Sequence, residues 1–145
     1  MAGRTGRCLC GAITYELAET PTAYGACHCA MCRRWTGGIE LGLQVPPGGI
    51  AFDGEAPATY ASSDWAERGF CTTCGSSLFW RLTADGPMKG LLSVSMGSLD
   101  DAEGMVFDTE VYVDHAPASH GFADPGTRRR LTGAELQELM NGGGD

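Results

Sequence analysis

Residues 27–34 read CHCAMCRR, which puts three thiols and an imidazole into six consecutive positions and two guanidinium groups directly after them. Groups of this kind close a disulfide scaffold, form a redox pair or hold a metal ion. The other cysteines bear on the choice. Cys8 and Cys10 stand in CLCG and Cys71 and Cys74 in CTTCG, so with Cys27, Cys29 and Cys32 all seven cysteines fall into three short motifs. An odd number cannot pair fully, and a bridge between CxC neighbours would strain disulfide geometry. A metal site has no such difficulty. A closed structural zinc site takes four ligands, whereas a reactive one usually offers three and leaves a position for water or substrate. Seven thiols divide into one of each.

The local patterns assign the two sets. CTTCG has the form of a zinc knuckle, with two thiols facing one ion and Gly75 supplying the positive φ of a tight turn. CLCG begins a strand-like run, CLCGAITYEL, in which a period of two sends Cys8 and Cys10 to one face. Zinc joining these two pairs would close a long loop, and structural zinc stabilises small folds by on the order of 10 kcal/mol. In the middle motif, Cys27 and Cys29 point one way along an extended run and His28 the other. A turn through Ala30 and Met31 brings Cys32 round. His28 is then a polar residue outside the metal shell, or one that orients a thiolate from behind.

Three thiolates on zinc leave a net charge of about -1, a poor Lewis acid for water. Such a site is suited instead to accepting a fourth sulfur and removing its proton. Arg33 and Arg34 offer forks for a carboxylate, or are solvated charges. Trp35, Phe79 and Trp80 line a pocket or belong to the core. His115 and His120 are proton shuttles or surface residues.

These groups must be carried by something. At 145 residues the chain is close to the commonest size of one domain, and we expect one, spanning residues 1–145. With 43% hydrophobic residues and 22 glycines, the composition favours many short strands joined by turns. A formal charge of -8 opposes attraction to nucleic acid or to anionic membrane. No stretch approaches the roughly 18 apolar residues of a membrane helix, and the start lacks the apolar core of a secretory signal, so the expected location is the cytoplasm. In that reducing compartment clustered thiols read as ligands before they read as disulfides.

Short apolar or alternating runs recur at CLCGAITYEL, GIELGLQV, ATYAS, ERGF, SSLFWRL, GLLSVSM and TEVYVD, separated by turns such as VPPGG and ADGP. They predict a mostly β fold of curved antiparallel sheets, whose exposed edges leave a homodimer open. Near the end, LTGAELQELM predicts one short helix over residues 131–140, with a capping box of Thr132 and Glu135, Leu131 stapled to Leu136, and a frayed GGGD tail.

GRCLCGAITYEL, CHCAMCRRWTG and FCTTCGSSLFW, in this order and at this spacing, resemble the family of glutathione-dependent formaldehyde-activating enzymes from about residue 6 to residue 114. The resemblance implies a β-tent of antiparallel sheets with zinc knuckles and leaves residues 115–145 as an extension. It implies a structural zinc on Cys8, Cys10, Cys71 and Cys74 and an open zinc on Cys27, Cys29 and Cys32, which are then the catalytic residues. It further implies a carbon–sulfur lyase that adds glutathione to formaldehyde or a related aldehyde to give S-hydroxymethylglutathione. The chain departs from the usual pattern at YVD and at Pro117–Ala118, away from the cysteines. The alternative is a non-catalytic zinc-binding interaction module, in which His28 or Asp114 completes the second site. A third reading, an iron or redox protein built on CAMC, rests on the similar spacing of iron–thiolate sites.

Overall fold

Strand β2 (Ile13–Leu17) reads ITYEL and buries every second residue: Ile13, Tyr15 and Leu17 face inward, while Thr14 and Glu16 stay half-buried. That period of two is the signature of a strand with one face on a core. The computed structural model describes residues 3–123 and 126–141, and the rest of the architecture repeats this device. Two compact units emerge, one comprising residues 1–22 and 42–105 and the other residues 23–41 and 106–145.

In the first unit, β2 lies antiparallel between β1 (Thr5–Arg7) and β5 (Ile50–Gly54). A second antiparallel set runs in the order β4 (Glu40–Val45, of which Gly42 onward belongs to this unit), β9 (Leu92–Ser95), β8 (Ser77–Leu82), β7 (Ala66–Phe70) and β6 (Ala58–Ala61). Leu43, Val45, Leu78, Phe79, Leu92 and Val94 are buried there. Each such side chain contributes about 1.5–3 kcal/mol by leaving water. Ring contacts run from Tyr15 to Phe52 at 6.0 Å and from Phe52 to Phe79 at 5.5 Å, tying the three-stranded set to the larger one. The buried Tyr15 hydroxyl meets Ser98 Oγ at 2.6 Å, so its polar tip is satisfied.

In the second unit, β10 (Val106–Val111) runs parallel to both β3 (Ala23–Cys27) and β11 (Arg129–Leu131). Helix α1 (Ala30–Thr36) follows β3, and helix α2 (Gly133–Asn141) ends the described chain.

The mostly β, antiparallel reading of the sequence is met, with several refinements. Cys8 and Cys10 are not on a strand: β1 ends at Arg7 and β2 begins at Ile13, and the residues between form a tight turn. The run TEVYVD is a strand only to Val111. Tyr112 adopts left-handed φ and ψ of 56° and 42° and turns the chain into a 3-10 turn, Val113–His115. The parallel pairing of β10 and the helix α1 were not anticipated. Among the described residues, no helix is long and apolar enough to cross a membrane. The GGGD tail, residues 142–145, lies outside the described residues.

The expected capping box is present in α2. The Glu135 N–H donates to Thr132 Oγ1 at 3.1 Å, and the Thr132 N–H donates to Glu135 Oε1 at 3.0 Å. Leu131 is buried ahead of it. Thr132→Ala should cost about 1 kcal/mol of local stability, read as faster amide exchange confined to α2. Accepting the Thr132 amide holds the Glu135 carboxyl below its ordinary 4.5. A depressed folded pKa means that this support is complete above about pH 4.5 and is lost as pH falls through the lowered value. Amide shifts of α2 followed through an acid titration should move together over that range.

Candidate metal centres

The seven thiols gather as the sequence groups them. The sulfurs of Cys8, Cys10, Cys71 and Cys74 lie within 4.8 Å of one another, and so do those of Cys27, Cys29 and Cys32. None of the seven cysteines is in a disulfide.

The four-thiol group belongs to the first unit and is built from two matching turns. The Cys8 N–H reaches Ile13 O at 3.0 Å, and the Cys71 N–H reaches Ser76 O at 3.0 Å, so each turn closes over the same span. Each also contains a glycine with left-handed backbone, Gly11 at φ 81° and Gly75 at φ 78°. A side chain at either position would be strained. Cys8 and Cys71 are almost wholly buried at 1% and 0% exposure, while Cys10 is exposed and Cys74 half-buried. Ser76 joins the turns: its hydroxyl accepts the Leu9 N–H at 2.9 Å and meets Cys74 Sγ at 3.2 Å. The serine hydroxyl lowers the Cys74 thiol to about 5. The Ala12 amide favours a thiolate at Cys10, but desolvation and the thiols of Cys8, Cys74 and Cys71 push it up to about 12.

The three-thiol group belongs to the second unit. Cys27 is the last residue of β3, Cys29 caps α1, and Cys32 lies in the helix. The Cys32 N–H donates to Cys29 Sγ at 3.4 Å, a thiol in the place usually filled by a serine or aspartate cap. Thiols from Cys27 and Cys32 stabilise a thiolate at Cys29 and hold it at about 2. The same contacts raise the other two. Cys27 is pushed up to about 12, first by Cys29, and Cys32 rises further through Cys27 and Cys29, burial and the charge of Glu40. One thiolate is therefore favoured in the trio and a second or third opposed. A divalent cation would reverse that opposition, since thiols that coordinate a metal are deprotonated outright. Both donor sets suit a soft or borderline cation such as zinc.

His28 points away from the trio into a buried ion-pair network. Its Nε2 lies 2.9 Å from Glu110 Oε1, and the other carboxylate oxygen accepts from Arg128 Nε at 2.9 Å and Arg130 Nε at 3.2 Å. Burial opposes ionisation of Glu110, but the hydrogen bonds from His28 and Arg128 and the charges of both arginines outweigh it and hold the carboxyl low. Asp114 is also engaged elsewhere, its Oδ1 accepting the Gly133 N–H at 2.8 Å. Among the described residues, the trio has no fourth histidine, cysteine, aspartate or glutamate.

The other candidates are dispersed. Arg33 and Arg34 are exposed in the last turn of α1, and Trp35 is half-buried beside them. Phe79 is core at 1% exposure, and Trp80 is half-buried on β8. His115 is exposed, 3.7 Å from Asp114 Oδ2 and stacked edge-on with Tyr112, and His120 is exposed. Ser76, Glu110, Arg128 and Arg130 were not singled out from the sequence. Only Ser76, directly after CTTCG, had a local signal to find.

A Schizosaccharomyces pombe protein named as an uncharacterized lyase is 29% identical over 119 residues, covering 82% of this chain and 85% of its own. The crystal structure of a Rhodobacter sphaeroides protein has the same fold, with a TM-score of 0.54 at 22% identity over 66% of this chain and 87% of that one. Residues 3–115 match the family described as "Glutathione-dependent formaldehyde-activating enzyme". That match spans most of the sequence and all seven cysteines, and the chain belongs to this family.

Proposed function

We propose that the protein is a zinc-dependent carbon–sulfur lyase that joins a thiol, glutathione, to formaldehyde or a related small aldehyde. The observation that carries this reading is the unequal division of sulfur: four thiols in one group and three in the other, with no fourth histidine, cysteine, aspartate or glutamate beside the three among the described residues. The family and the lyase name of the yeast relative support it.

In this reading Cys8, Cys10, Cys71 and Cys74 enclose a structural zinc, while Cys27, Cys29 and Cys32 hold the second ion and are the catalytic residues. Zinc on three thiolates would supply an open position to a thiol and favour its thiolate form. The chain contributes preorganisation. Cys29, the thiol most readily ionised, is fixed by the Cys32 amide, and Cys27 is fixed by the end of β3. Arg33 and Arg34, carried out of the trio on α1, are suited to meet the carboxylates of a tripeptide. The net reaction forms one carbon–sulfur bond. The thiol sulfur adds to the carbonyl carbon, the thiol proton ends on the carbonyl oxygen, and nothing is oxidised or reduced. Cleavage in the lyase direction is the same step reversed. Since free thiols are needed throughout, a reducing compartment such as the cytoplasm suits the protein.

The interaction-module alternative requires a saturated second site. His28 and Asp114, its candidate fourth ligands, are held by Glu110 and by the Gly133 amide.

Two experiments test the assignment. Glutathione added to the cobalt-substituted protein should change the visible absorption of one of two cobalt ions per chain; an unchanged spectrum at saturating thiol counts against an open site. Cys29→Ser should lose about one metal per chain with the fold retained, whereas Cys74→Ser should destabilise the first unit, removing part of an interaction worth on the order of 10 kcal/mol. Metal analysis with thermal unfolding reads both, and equal unfolding of the two variants would contradict the division of roles.

A further inference from the structure

The family match ends at residue 115, yet the buried network behind the trio draws on residues beyond it. Glu110 is 2% exposed and His28 4%. An ionised carboxylate only accepts hydrogen bonds, so His28 Nε2 must carry the proton it shares with Glu110 Oε1 at 2.9 Å. Arg128 supplies the countercharge from the far side, at 2.9 Å from Oε2, with its side chain only 11% exposed. Its guanidinium lies over the ring of Phe107 at 4.3 Å and that of Phe122 at 5.4 Å. Phe122 in turn meets the His28 ring edge-on at 6.0 Å. Arg130, half exposed, is a second and weaker donor to the same oxygen.

The backbone gives this network its leverage. Cys27 pairs with Val111, the His28 N–H donates to Val111 O at 3.1 Å, and Val111 pairs on its other side with Leu131. His28 is the one residue between Cys27 and Cys29. Fixing its ring to a buried carboxylate fixes the backbone dihedrals through which both sulfurs are aimed.

We propose that Arg128 is a positioning residue for the three-thiol site, acting through Glu110 and His28 to hold Cys27 and Cys29 in the geometry that binds the metal. The proposal rests on the reading that this trio binds a metal. Arg128 is not one of the thiol donors and meets Glu110 instead. It keeps Glu110 ionised and oriented, Glu110 keeps His28 in one tautomer and one place, and His28 sets the thiols on either side. Groups that orient ligands in this way typically control metal affinity by about 10–100-fold.

The test uses the full chain loaded with cobalt(II), followed by its thiolate absorption during competition with a chelator. Wild type should release metal in two phases. In Arg128→Gln the weaker phase should shift by about 10–100-fold, and the phase of the four-thiol group, an internal control for folding, should stay in place. Arg128→Lys, which keeps a charged donor, should recover part of the affinity, and Arg129→Gln, at an exposed neighbour outside the network, should behave as wild type. Retention of wild-type affinity by Arg128→Gln overturns the proposal, as does equal weakening of both phases. Should Arg128→Gln fail to fold, Arg128→Lys decides: selective weakening of the trio supports the proposal and unchanged affinity overturns it. A wild-type chain that holds one metal overturns the open-site reading and this proposal together, whereas two metals with an indifferent Arg128 overturn this proposal alone.

Discussion

Thiols brought within 4.8 Å of one another cannot all give up their protons without a positive charge among them. The trio makes the constraint plain. Cys29 is a ready thiolate because Cys27 and Cys32 donate to it, and those two are resistant for the same reason. The fold brings three such groups together, and Glu40 adds opposing charge at Cys32. An arrangement so unfavourable alone is the arrangement a divalent cation stabilises, and the two groups would offer such an ion four sulfurs and three.

The two groups are held by different means. The four-thiol group is formed by two turns of the same pattern, each closed by its own backbone hydrogen bond and bent at its own glycine, with Ser76 bonded into both. The trio depends on a strand end, a helix cap and a charged network behind it. A buried carboxylate with histidine and arginine donors is expensive to desolvate, and a well-packed apolar pair would often serve stability as well. What the polar network supplies is direction: the His28 ring is held by its Nε2 against Glu110 Oε1.

Much of this was legible in the sequence. The two groupings of thiols were, because cysteines two and three residues apart come together in a tight turn whatever surrounds them. The strands with clean alternation were, β2 being the clearest, and so was α2, whose capping box lies within four residues. Other features carried no local signal. The strand reading of CLCG failed because a period of two is shared by strands and by turns of this tightness, and Gly11 decided for the turn. Helix α1 is a single short stretch capped by a cysteine, which no capping rule anticipates. The tie of Glu110 to His28 and Arg128 depends on parallel strands that bring remote segments into register, and such registers leave no mark on neighbouring residues.

The parallel run of β3, β10 and β11 has a consequence for how the molecule is made. Strands joined in this sense cannot be linked by hairpins, and the chain must leave and return between them. During synthesis, β3 with its cysteines emerges well before β10, and β11 follows later still. The sulfurs of the trio therefore exist long before their scaffold, and in a growing chain CHCAMC is an exposed, flexible segment open to oxidation or to the wrong ion. The surroundings of the three sulfurs are complete only when β10 and β11 have joined β3.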